Sequence, residues 1–161
     1  MKLAKVFKEN KQFTLFSILA LVVVGVAVFA PQIAPYDPLD AVMLESLQAP
    51  SSAHPFGTDK LGRDLLSRVI FGTRTSLIMT LCLVAVIFVI GTFLGVIAGY
   101  FGGIVDGVIM RIADMMISFP GLVLAIAIAG MLGPNLVNAV ISIAAVSWTK
   151  YARLARSMVL L

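Results

Sequence analysis

Three groups of residues in this 161-residue chain have types and spacing that could do chemistry. The first is "GTDKLGRD", residues 57–64, where Gly57 and Gly62 stand at the interval of a phosphate-cradling glycine loop. Such a loop needs Lys and then Ser or Thr after its second glycine, and a strand before it. Here Arg63 and Asp64 follow, no strand precedes, and an aspartate repels a phosphate. Nucleotide binding is excluded. The second group, Asp106, Arg111 and Asp114, lies in an apolar stretch. A charge in hydrocarbon costs at least about 2.5–3.5 kcal/mol, so these side chains are a solvation problem before they are catalytic groups. Arg111 and Asp114 are expected to offset each other across one helical turn. The third group is the lone His54, beside Pro55, and the lone Cys82. A single imidazole with no second ligand nearby is a poor metal site, and Cys82 reads as a small apolar core residue. With no Ser/His/Asp or Cys/His set, the sequence argues against an enzyme and implies no cofactor and no metal.

The elements that must carry these residues are built for lipid. Sixty per cent of residues are hydrophobic and 12% charged, with mean hydropathy +1.06, against about 45–50% and about 25% in soluble domains. This is the composition of an integral membrane protein. The net charge of +4 is modest, and no basic run interleaved with aromatics suggests nucleic acid. The expected fold is all-α: a polytopic membrane helix bundle of about four transmembrane helices plus one interfacial amphipathic helix.

The expected segments are a basic tail at 1–12, a first span at 13–34, a loop at 35–75, a second span at 76–99, a third at 104–132 and a fourth at 135–161. The first span imitates a secretory signal. Its apolar run is longer than a signal core, however, and Pro31 follows the candidate cleavage motif, so it reads as an uncleaved anchor. Lys2, Lys5, Lys8 and Lys11 with Lys150, Arg153 and Arg156 give seven cations on one side. Lys60, Arg63, Arg68 and Arg74 give four on the other, diluted by acids. That asymmetry favours a cytoplasmic N-terminus and an extracytoplasmic 35–75 loop.

Within that loop, apolar residues at 61, 65, 66, 69 and 70 share one face, with Arg63, Asp64 and Arg68 on the other. The spacing predicts an amphipathic helix over 59–73, capped by Thr58 or Asp59, with an Asp64–Arg68 ion pair at i,i+4.

Four further features carry two readings each. Gly91, Gly95, Gly99 and Gly103 recur every four residues; this marks either a helix-packing stripe or the ordinary glycine enrichment of membrane helices. Arg111, Asp114 and Ser118 share a face of the third span, which borders a translocation path or a partner interface, or else simply holds a structural ion pair. Pro120 must kink or break that span, with or without a gating role. Lys150, Tyr151, Arg153 and Arg156 end the fourth span, as topology anchors or as support for a docking segment.

Two stretches go further than composition can. "HPFGTDKLGRDLLSRVIFGTRTSL" and "GVIAGYFGGIVDGVIMRIADMMISFPGLVLAIAIAGMLGPNLVNAVISIAAVSWTKYARLARS" resemble, in unbroken order, the dipeptide/oligopeptide/nickel permeases of ATP-driven (ABC) importers. The resemblance implies a bacterial or archaeal inner-membrane subunit of six helices. It would pair with a second permease, receive solute from an extracytoplasmic binding protein and dock ATP-binding subunits through a Glu-Ala-Ala loop after the fourth helix. "YARLARSMVLL" matches the approach to that loop, and the chain stops before it and before helices five and six. A truncated permease is therefore expected. The alternative is a small, non-transporting membrane protein that associates with other helices.

Overall fold

The computed structural model describes residues 10–161; Lys2, Lys5 and Lys8 lie outside the described residues. Among the described residues six α-helices follow one another: α1 Lys11–Val28, α2 Ala30–Ile33, α3 Leu65–Phe101, α4 Gly103–Ser118, α5 Gly121–Leu132 and α6 Leu136–Val159. A single 3-10 turn, Met43–Glu45, interrupts the loop after α2. Among the described residues there is no strand, only an isolated bridge between Thr58 and Asp64. The chain divides into two compact units, one reaching to Ile78 and one covering Met79–Leu161.

In the first unit, α1 turns its large side chains outward. Leu15, Phe16 and Leu21 are each more than 60% exposed, as expected of a helix whose solvent is hydrocarbon. Pro31 sits in the first turn of α2, where its missing N–H breaks no hydrogen bond. The long loop then folds on itself until Asp64, whose carboxylate accepts from the Ser67 N–H at 2.7 Å and opens α3. The expected helix over 59–73 is therefore corrected. Residues 57–64 form turns, helix begins at Leu65, and its cap is Asp64 rather than Thr58 or Asp59. From there α3 continues for 37 residues without a break, about 55 Å at 1.5 Å per residue, against a hydrocarbon layer of about 30 Å.

In the second unit, Gly102 and Gly103 take φ of 60° and 51° and reverse the chain between α3 and α4, a backbone shape that side chains resist. α4 stops at Ser118, Phe119 is extended before Pro120, and α5 resumes at Gly121 with its axis bent 93° from α4. Asn135 caps α6 through the Val137 N–H at 2.8 Å, and the Asn138 amide reaches back to the Leu132 and Gly133 carbonyls at the end of α5. A small cluster of Ala113, Trp148 and Ala152 forms the core, flanked by Leu94, Ile109 and Met110.

Among the described residues two helices, α1 and α3, are long and apolar enough to cross a bilayer; the bent pair α4 and α5 makes a third if it acts as one broken span. α6 does not meet that measure, because Lys150, Arg153 and Arg156 fill its last third.

Candidate functional site

The second unit is organised around α6, and glycine explains how closely its neighbour approaches. A Cβ on Gly91 would lie 2.6 Å from both the Trp148 carbonyl oxygen and the Tyr151 Cβ; on Gly95, 2.2 Å from the Ala152 oxygen; on Gly99, 2.8 Å from the Val159 Cβ. Residue numbers rise together on both helices, so this part of α3 runs parallel to α6 with backbones almost touching. Phe88 closes the seam edge-on to Tyr151, ring centroids 6.0 Å apart. Gly103 is a correction. It meets no neighbour within 4 Å, and its positive φ places it in the turn and outside the seam.

α4 packs on α6 in the opposite sense, and charge closes that contact. Arg156 donates from two nitrogens to both carboxylate oxygens of Asp106, and Arg153 pairs with Asp114. The expected Arg111–Asp114 pair is therefore corrected: Asp114 turns to α6, and among the described residues no carboxylate lies within ion-pair distance of Arg111. On one helix the pair would stand with the base ahead of the acid, the poorer order for a helical ion pair, and the arginine of α6 takes the carboxylate instead. Ser118 bonds back to the Met115 carbonyl at 2.7 Å and closes the last turn of α4. At the elbow around Pro120 lies a cavity of about 380 Å³ between Met116, Phe119, Leu122, Ile143, Ser147 and Lys150.

The charged stretch of the first unit is a self-contained knot. Asp59 accepts from the Leu61 and Arg63 amides at 2.8 and 3.1 Å, from the Arg63 guanidinium at 2.8 and 2.7 Å, and from Arg68. The Arg63 side chain, helped by the two amides, holds the Asp59 carboxyl well below the usual carboxylate range. The expected Asp64–Arg68 pair gives way accordingly. Arg68 reaches Asp59, and Asp64 accepts from His54 Nδ1 at 2.9 Å. Burial raises the Asp64 pKa, but the Ser67 and His54 hydrogen bonds outweigh it and the net shift is downward. The other imidazole nitrogen lies 3.4 Å from Glu45, and the ring stacks on Tyr36 at 4.9 Å.

This knot accounts for the glycines that imitate a phosphate loop. Gly57 and Gly62 have φ of 73° and 75°, and a Cβ on Gly62 would fall 1.8 Å from the Val42 carbonyl oxygen. They are spaced for a tight fold-back of the loop. Sequence reasoning missed Glu45 and took Thr58 for a helix cap; Thr58 is instead 4% exposed and donates to the Glu45 carbonyl while accepting from the Gln48 N–H. A Thr among Pro, Ser and Gly carried no signal of that role.

Fold and seam define a polytopic α-helical membrane protein whose small residues and interhelical charge pairs replace a conventional hydrophobic core. The chain is similar to the binding-protein-dependent transport permeases. The model of the binding-protein-dependent transport system inner membrane component matches residues 91–161, and that of the N-terminal membrane domain of oligopeptide transport permease C matches residues 2–50.

Among similar proteins are a probable D,D-dipeptide transport system permease of Escherichia coli K12 and a dipeptide transport system permease of Haemophilus influenzae. The first is 41% identical over 99% of this chain and 53% of that protein; the second is 40% identical over 94% and 53%. The E. coli nickel transport system permease is 40% identical over 78% of this chain and 46% of its own length. The chain thus spans about half the length of the curated relatives it matches.

Proposed function

We propose that this chain supplies the first membrane helices of a permease subunit in an ATP-driven importer of peptides, nickel or a similar small solute. The observation that carries the reading is its 41% identity, over 99% of its length, to a dipeptide permease. The two-sided clamp of α6 by glycine contacts and by arginine–aspartate pairs supports it. An element fixed to both neighbours moves as one body, which a rocking permease requires.

In this reading the chain crosses the inner membrane about four times with its N-terminus in the cytoplasm, and the 35–75 loop faces outward. Lys150, Tyr151, Arg153 and Arg156 flank the site where ATP-binding subunits dock. ATP hydrolysis takes place on those partners. A second permease completes the pathway, an extracytoplasmic binding protein delivers solute, and Asp114 and Ser118 are candidates for the face along the path.

The test is co-expression with the neighbouring transporter genes, purification, and uptake of labelled dipeptide or nickel by proteoliposomes. ATP-dependent uptake that needs this chain is the expected result. A chain that inserts but recruits neither a second permease nor an ATPase, and moves no solute, would be the alternative: a non-transporting membrane protein.

A further inference from the structure

Among the described residues Arg111 is a cation of α4 that neither charge pair absorbs. It is exposed, on a helix whose two acids are already taken, Asp106 by Arg156 and Asp114 by Arg153. It belongs to the bent α4–α5 pair that is apolar enough to enter a bilayer, where an unpaired charge is costly. Beside it, on one face of α4, a shallow and largely open groove runs between Ile104, Gly107, Val108, Ile112 and Met115. The walls are exposed, Ile104 by 86% and Val108 and Met115 by 54% each.

The placing of Gly107 gives this groove its shape. Helical side chains lean toward the helix N-terminus, so the Arg111 stem lies over residue 107, one turn back. Gly107 has no side chain there and meets nothing within 4 Å. The guanidinium is thereby free to reach along the groove toward the start of α4, where the Asp106–Arg156 pair marks polar surroundings. A cation at the polar end of an apolar trough matches one kind of ligand: a negative headgroup carrying hydrocarbon chains.

We propose that Arg111 and the Gly107 groove form a binding site for an anionic phospholipid, its phosphate on the guanidinium and an acyl chain along Ile104, Val108, Ile112 and Met115. The apolar walls favour a lipid over free phosphate. The site rests on membrane insertion alone, so it is tested on this chain without partners and is unaffected if solute uptake fails.

The experiment is native mass spectrometry of the delipidated full chain, incubated in detergent with phosphatidylglycerol, phosphatidylcholine or inorganic phosphate. Phosphatidylglycerol should be retained about fivefold over phosphatidylcholine, the preference one arginine near a membrane surface confers. The preference should persist in R111K and vanish in R111Q, with helix content matched by circular dichroism. Equal retention of both lipids, equal retention by R111Q, or competition by inorganic phosphate alone would overturn the proposal. So would a crosslink from residue 111 to a carboxylate of another subunit that excludes lipid.

Discussion

Arg156 grips both carboxylate oxygens of Asp106, a residue fifty positions earlier in the chain, and so ties the end of α6 to the start of α4. One turn back along α6, Arg153 makes a single, more exposed contact with Asp114. The two pairs should differ in strength. A double-mutant cycle on Asp106→Asn and Arg156→Gln should give a larger coupling than the corresponding cycle on Asp114 and Arg153, whose single contact is more exposed. Denaturant titration in mixed micelles measures both; the opposite order would contradict the geometry.

The glycine seam predicts a contrast between two similar substitutions. Gly95→Ala places a methyl 2.2 Å from the Ala152 carbonyl oxygen and should destabilise by about 1–3 kcal/mol, since neither backbone can yield. Gly130→Ala in α5 meets nothing within 4 Å and should be neutral or stabilising by up to about 1 kcal/mol. Trp148, the single tryptophan, sits in the seam and reports both by fluorescence.

The fold-back loop should loosen in acid. Asp64 has a folded pKa below its ordinary 3.8, so its contribution is complete above that value and is lost as pH falls through the lower, folded one. Hydrogen exchange at the Ser67 amide, which Asp64 accepts, should therefore accelerate relative to the neighbouring helix on acidification below about pH 4. In Asp64→Asn the amide should be less protected at neutral pH and its protection nearly independent of acid. An acid response unchanged in that variant would assign the effect elsewhere, Asp59 being the next carboxylate to examine.

Pro120 sets the elbow. Pro120→Ala restores an amide N–H and removes the clash that keeps Phe119 extended. Spin labels at Val108 and Ile128 should then move farther apart as α4 and α5 straighten from their 93° bend. An unchanged distance would show that packing of α5 on α6, and not the proline, holds the angle.

Much of this was legible along the chain. The lack of charge in the long apolar runs and the Pro120 interruption are local properties, fixed by solvation and by backbone sterics within a few residues. Partner choice was less so. Asp64–Arg68 and Arg111–Asp114 are reasonable pairs on an isolated helix, yet both were displaced. Asp64 lies just outside helix α3, as its cap, and Asp114 found an arginine on another helix.

The sequence by itself determined the solvent of this protein, its helical character and its likeness to the permeases, because hydropathy and ordered motifs are written in the order of residues. Only the tertiary structure decided that Gly91, Gly95 and Gly99 meet α6 of the same chain, that Gly103 serves a turn, and which carboxylate each arginine takes. Those outcomes depend on distances between segments some fifty residues apart. A period of four or a count of charges gives the available faces and charges, but the choice among them falls to the packing that brings two backbones together.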